Sequence, residues 1–415
     1  MAEPEVLEIV RLGAQADGVA ETLAGPVFIA GSLPGELVTC EVADGRGRLV
    51  AIGKASPDRV TPPCPHFGTC GGCSAQHMSS PLYRAWKRDF VATAFRHRGL
   101  DVEISDMIAV GPGQRRRATF TARKTARGLV LGFHEEGSHA LVDLAVCPVV
   151  TPAIAGALPG LRAIADVSIA SGESIRLAVT DTPDGLDVSL TDLPRSPDAS
   201  AKAVIADVAR KTGIARVTAS GEIVMQSLVP SIPLGSARVP LPPGAFIQAT
   251  AAAEQAIAEI LVEATGKAKR VADLFCGLGT FTFALARRAR VFAADSERPA
   301  IEALQKAAKA APGVKPIEAR VRDLMREPLS RTELAGFDAV VLDPPRAGAK
   351  EQVEAIARSK VPIVGMVSCN PATMARDCRT LVDAGFEVDR LVPVDQFVWS
   401  THVEAVAILK RSARK

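Results

Sequence analysis

From about residue 246 onward the chain alternates short apolar runs with helix-forming stretches, and this rhythm constrains the fold more than any other feature. "RVADLF" precedes "FTFALARRA", "RVFAADS" precedes "RPAIEALQKAAKAA", and "KPIEARV" leads into a loop. "FDAVVLD" then precedes "KEQVEAIARS", and "VPIVGMVS" precedes "ATMARDCRTLVDAG". Two further β-rich runs, "FEVDRLVPVD" and "VEAVAILK", close the pattern. Strands joined by helical crossovers imply an α/β fold on a mostly parallel, doubly wound sheet. Such sheets bind ligands beyond the carboxyl ends of their strands, where the strand order reverses.

Those strand ends carry the residues of interest. "DLFCGLGTFT", residues 273–282, reads as strand, glycine turn and helix start, with Gly277 and Gly279 free to turn tightly beside a ligand. No GxGxxG is present, because Thr280, Phe281 and Thr282 follow Gly279. Asp295 ends the next strand, Asp323 follows the third, and Asp343 ends the fourth in "LDPPRAG". Any one of these acids could be an ordinary solvated loop residue. The series suits an adenosine that carries a cationic group, so S-adenosylmethionine is expected rather than NAD. "VSCNP", residues 367–371, places Cys369 where an apolar run gives way to a helix-forming stretch. An isolated cysteine is usually a small buried hydrophobe. A helix amino terminus lowers a thiol's pKa from about 8.5, and at this position over the crevice the expected role is nucleophile.

The rest of the chain is organised differently. A length of 415 residues gives a prior of about three domains. Residues 1–56 hold "VLEIV", "PVFIA", "ELVTCEV" and "GRLVAIG", which suit a small β-barrel of the oligonucleotide-binding kind, although such barrels serve other ends too. Residues 57–245 form a central region with a cysteine cluster, a helical stretch from Ser80 to Arg98, and short strands between Pro/Gly turns over 100–245. Residues 246–415 form the third unit. Cys64, Cys70 and Cys73 with distant Cys147 supply four thiolates, enough for tetrahedral zinc or a cubane cluster. Spacing alone makes zinc the commoner choice. The run Arg115–Arg117, with Arg123, Lys124 and Arg127, reads equally as a phosphate contact or a solvated basic face. A net charge of +3 permits a polyanionic partner without demanding one, and one Tyr and two Trp leave few positions for base stacking. No apolar run approaches the roughly 18 residues of a membrane span, and "MAEPEVLEIV" is acidic without a signal core. A cytoplasmic protein with no membrane association is expected.

Taken together, the motifs resemble those of the bacterial RNA uracil-C5 methyltransferases that use S-adenosylmethionine. The resemblance spans nearly the whole chain: "FIQAT" at 246–250, "DLFCGLGTF" at 273–281, "DPPRAGA" at 343–349, "VSCNPATMARD" at 367–377 and "STHVEAVAIL" at 400–409. It implies a class I methyltransferase domain, Cys369 as nucleophile and Glu404 as proton acceptor. It also implies a methyl-donor site of Gln248, Phe275, Thr280, Asp295, Asp323 and Asp343. Thr280 stands where the family often has Asn. "CPHFGTCGGCSAQH" with "CPVV" is similar to the cysteine motif of the iron–sulfur members, which implies a [4Fe–4S] cluster on Cys64, Cys70, Cys73 and Cys147. The amino-terminal module resembles the RNA-binding TRAM domain of the same proteins. Within the family, TRAM plus cluster marks ribosomal RNA enzymes, so 23S rRNA is the expected partner, tRNA the second, and a monomer the expected state.

Overall fold

The computed structural model describes residues 4–412, so the outermost positions of the expected domains, 1–3 and 413–415, lie outside the described residues. The carboxyl-terminal sheet contains β1 (Arg270–Leu274), β2 (Arg290–Asp295), β3 (Ile317–Val321), β4 (Ala339–Leu342), β5 (Ile363–Ser368), β6 (Phe386–Asp395) and β7 (Glu404–Arg411). Their spatial order is β3-β2-β1-β4-β5-β7-β6. The pairs from β3 to β5 are parallel, while β7 runs antiparallel between β5 and β6. The order reverses between β1 and β4, which sets a crevice at their carboxyl ends. All of β4 and the last four residues of β1 are buried, because helices cover both faces of the sheet. This is why those runs read as continuous apolar stretches.

Helices Arg298–Ala310, Lys350–Ala357 and Pro371–Asp383 fall where the sequence rhythm expects them. After β1 the expected helix is short, Thr282–Ala286, and a further helix, Ala251–Ala264, precedes β1. The latter is capped by Thr250, whose side chain accepts from Ala253 N.

The central region departs from the expectation of strands and turns alone. It holds a seven-stranded sheet backed by two helices, Pro152–Ser168 and Ala199–Lys211. The first contains Pro159 and Gly160, which read as turn residues in the sequence. Gly160 is there for close packing, since a Cβ would lie 2.7 Å from the Thr212 methyl.

The amino-terminal sheet has six strands, with Glu5–Glu8 at one edge and Arg11–Leu12 at the other. These edges are consecutive in the chain, joined by Ile9 N to Glu36 O at 3.0 Å and Val10 N to Val19 O at 2.9 Å. The sheet therefore closes on itself as a small barrel around Ile9, Val27, Ile29 and Val38.

The packing does not divide at residue 246. Val91 and Phe95 of helix Ser80–Arg96, with Leu100 and Ile104, share one core with β1, β4 and β5. Ile108–Ala109 adds a short strand beside β6, and the hairpin Ser231–Leu234/Ala237–Pro240 packs on Leu278, Phe283 and Leu304. Residues 80–109 and 231–245 thus pack as part of the carboxyl-terminal unit. Among the described residues no helix is long and apolar enough to cross a membrane.

Candidate active site

The glycine turn leaves β1 through Phe275, which takes a left-handed φ of 62°. That conformation is costly for an aromatic residue, and it is held by Phe275 N and Cys276 N donating to Ala294 O. The two glycines do different work. Gly277 has φ +52° and open space where a Cβ would stand, so a ligand can approach its backbone. Gly279 is a packing glycine, because a Cβ there would meet Leu304 and Phe283 at 2.9 Å. Gly277 N donates to Asp295 Oδ2 at 2.9 Å, so Asp295 braces the turn from the end of β2. Half-buried Thr280 makes no side-chain hydrogen bond among the described residues. Thr282 does instead, donating to Asp273 Oδ2 at 2.5 Å. Burial pushes the Asp273 carboxyl up to about 7.

Asp343, at the end of β4, accepts from Gln248 Nε2 at 3.0 Å. Desolvation pushes it well above the usual carboxylate range, and the charges of Glu404, Asp273 and Asp295 add to the effect. Asp323 stands apart beyond β3, where its Oδ1 accepts from Met325 N and Arg326 N and caps the local turn. Glu404, the first residue of β7, is buried and accepts from Gln396 Nε2 at 2.8 Å. Burial pushes it up to about 7.

Cys369 follows β5, and the next residue, Asn370, caps helix Pro371–Asp383 by accepting from Ala372 N and Thr373 N. The expected lowering of its thiol pKa is not what the site produces. Burial first, then Glu404, then Asp343, push it above its ordinary value, with the Arg346 guanidinium opposing them. The 343–349 loop is fastened to this helix: Asn370 Nδ2 and Thr373 Oγ1 donate to Arg346 O, Arg376 donates to Ala347 O, and Ala349 N donates to Asp377 Oδ2. "DPPRAGA" and "CNPATMARD" are therefore hydrogen-bonded to each other, with Asp343 and Cys369 at the carboxyl ends of the neighbouring parallel strands β4 and β5.

The sequence reading missed several members of the site. Gln396 links Gln248 and Glu404, and next to it Asp395 accepts from Tyr83 Oη at 2.6 Å and Lys87 Nζ at 2.5 Å. Lys87 Nζ also donates to the carbonyls of Phe397 and His402, tying down the loop between β6 and β7. The signal available was the polar pair Asp395–Gln396 closing an apolar strand. The basic run also resolves unevenly. Arg116 is buried against Glu254 and donates to Gln248 O, so it braces the site and cannot meet a phosphate. Arg115 lies over the Phe397 ring, and Arg117 over the exposed ring of Phe246. Arg123 and Arg127 are exposed.

Cys64, Cys70, Cys73 and Cys147 line a single cavity of about 220 Å³, together with Arg115, Phe397 and His402. Backbone contacts stitch its walls: Gly71 N to His134 O, Ala145 N to His66 Nε2, and both Ser74 N and Ala75 N to Trp399 O. Burial pushes Cys73 up to about 12. Among the described residues no three His, Cys, Asp or Glu side chains close to the spacing that would hold a metal ion.

A sheet of order 3-2-1-4-5-7-6, with a glycine turn after β1 and carboxylates at the ends of β2 and β4, is the class I methyltransferase fold. Residues 237–412 match the family profile described as tRNA (Uracil-5-)-methyltransferase. An uncharacterized RNA methyltransferase of Rhizobium meliloti is 47% identical over 97% of this chain and 98% of its own length. The 23S rRNA (uracil(1939)-C(5))-methyltransferase of Edwardsiella ictaluri is 33% identical over 99% of this chain and 96% of its own. The protein belongs to the RNA uracil-C5 methyltransferase family. Its fold matches that of Pyrococcus abyssi tRNA (uracil-54, C5)-methyltransferase in complex with S-adenosyl-L-homocysteine. The TM-score is 0.76 at 23% identity, covering 97% of this chain and 99% of that one.

Proposed function

We propose that this enzyme methylates C5 of a specific uridine in 23S rRNA through a covalent bond between Cys369 and C6. The observation that carries the reading is the meeting of Cys369, Asp343 and Glu404 at the ends of β5, β4 and β7, close enough for the two carboxylates to raise the thiol's pKa. Uracil C5 is a poor nucleophile. Adding the Cys369 thiolate to C6 moves the ring electrons toward C5 and O4, and C5 then takes the methyl group from the donor sulfonium. The product still carries the original C5 proton. Glu404 removes it, the pair from the broken C5–H bond re-forms the C5–C6 double bond, and the C6–S bond breaks to return the thiolate. Carboxyls raised by burial suit both tasks, because a base with a pKa near the working pH accepts and later releases its proton readily.

Gln248, Phe275, Gly277, Gly279, Thr280, Asp295, Asp323 and Asp343 are assigned to the methyl donor, with Gln248 and Asp343 also in reach of the base. Several carboxyls around one crevice suit a cationic sulfonium. The amino-terminal barrel, residues 1–56, is assigned to RNA binding as a TRAM-like module, in a cytoplasmic enzyme acting as a monomer.

The four cysteines are assigned to a [4Fe–4S] cluster. Tetrahedral zinc needs four sulfurs about 3.8 Å apart, from a Zn–S distance of about 2.3 Å. What supports the cluster is the placement of all four thiols on one cavity, where Cys147 joins the 64–73 segment from a distant part of the chain. The cluster would supply structural cross-linking of the 64–73 segment to Cys147.

Mass analysis of RNA from a strain lacking the gene tests the reading. The expected result is loss of one 5-methyluridine from 23S rRNA. Loss from tRNA instead would move the substrate, and no loss from either would overturn the assignment.

A further inference from the structure

Gln396 sits immediately after β6 with its side chain buried and fully engaged. Its Oε1 accepts from Ala249 N at 3.0 Å, while its Nε2 donates to Gln248 Oε1 and Glu404 Oε2, each at 2.8 Å. A backbone N–H can only donate, so Ala249 fixes which end of the amide is oxygen. The Gln396 NH₂ must then face Gln248 and Glu404. Gln248 in turn offers its oxygen to Gln396 and its NH₂ to Asp343 Oδ2. One backbone donor thereby sets the polarity of two buried amides, and each ends by donating into a carboxyl.

We propose that Gln396 is a positioning residue, holding Glu404 ionised to take the C5 proton and holding Gln248 turned toward Asp343. This rests on the uracil-C5 reading of the site. A neutral donor bonds a carboxylate more strongly than a carboxylic acid, so the amide favours the basic form against the burial that opposes it. The titratable groups facing Glu404 are Cys369 and Asp343, with Arg346 acting on Cys369. Among the described residues no ion pair reaches Glu404, so the Gln396 amide is the group that offsets its desolvation. Gln396 is itself held from behind. Lys87 and Tyr83 clamp Asp395, and Lys87 spans the following loop to the Phe397 and His402 carbonyls.

The experiment measures single-turnover release of free 5-methyluridine RNA from the enzyme against pH, at saturating donor, on the RNA that the deletion strain leaves unmethylated. Gln396→Met keeps the side-chain volume and removes both donors. A hydrogen bond to a charged group corresponds to about one to two pH units. The acid limb of the profile should therefore move up by that much, with a roughly five- to fifty-fold loss at pH 7 recovered at higher pH. A methylated protein–RNA adduct should accumulate at pH 7 and disappear at alkaline pH. Gln396→Glu can keep the Ala249 bond but sets a second carboxyl beside Glu404, and should move the limb further. Donor binding and a cooperative melt establish that each variant is folded. A folded Gln396→Met with the wild-type limb overturns the proposal. So does a loss equal at every pH with no adduct, which would mark a purely structural role. Should the wild-type enzyme itself make no 5-methyluridine in this assay, the reading of the site and the proposal fall together, a result distinct from either variant's failure.

Discussion

Cys369 shares the crevice with two carboxyls and one guanidinium, whereas the four thiols of the cysteine cavity face one another across a largely apolar lining with Arg115 alongside. Burial raises the pKa of Cys369, Cys70, Cys73 and Cys147 alike. What differs is how each set can reach the thiolate form. A thiol that ionises for one reaction step needs a nearby proton acceptor and a partner that forms and releases the bond. Thiols that stay ionised need a permanent cation, which a metal centre provides. The neighbours of a cysteine therefore say more about its role than its burial does.

The largest effect should come from Cys369→Ala. Methyl transfer should fall to background while donor binding persists, because the glycine turn and the carboxylates are untouched. Normal methylation by this variant would break the contrast outright. Glu404→Gln should lower turnover by about 10²–10⁴-fold and trap a methylated adduct that survives denaturing electrophoresis. The double variant should form no adduct. In the wild-type enzyme the same carboxyl, raised to about 7, must lose its proton to act, so the rate should climb as pH rises through that value. A flat profile across this window would remove Glu404 from the role of base.

Lys87→Met tests the strut that joins the two regions. It leaves Asp395 buried without its cation, and should destabilise the fold by about 3–5 kcal/mol in denaturant unfolding. An unchanged midpoint would show the pair to be dispensable. For the cavity, anaerobically purified protein should contain about four irons per chain, and Cys147→Ser should lose most of them. Stoichiometric zinc without iron would overturn the cluster. The smallest effect is expected from Cys40→Ala, in the barrel core, with iron content unchanged and stability reduced by about 1 kcal/mol.

The parallel strands were legible because both their faces are buried, which writes them as unbroken apolar runs such as Ala339–Leu342. Cys369, Asp343 and Asp295 stood out for a related reason, as polar residues where such runs end, and the structure has them at the ends of β5, β4 and β2. The helix Pro152–Ser168 was hidden by Pro159 and Gly160, whose turn character is overridden by packing against Thr212. Lys87 and Tyr83 were illegible because their pairing with Asp395 spans more than 300 residues, and of Gln396 only its place in the polar pair that closes an apolar strand was on view. The thiol's expected depression failed because its burial and the two carboxyls beside it, Glu404 and Asp343, are brought there by tertiary packing that the local sequence does not record.

The strut also has a meaning in time. Lys87 leaves the ribosome 308 residues before Asp395. At about 5–20 residues per second, that interval is roughly 15–60 s. Throughout it a lysine destined for the interior must wait in water while the barrel and central sheet fold around it. Only when the last two strands emerge can it find its carboxylate and draw the Gln396 loop into place.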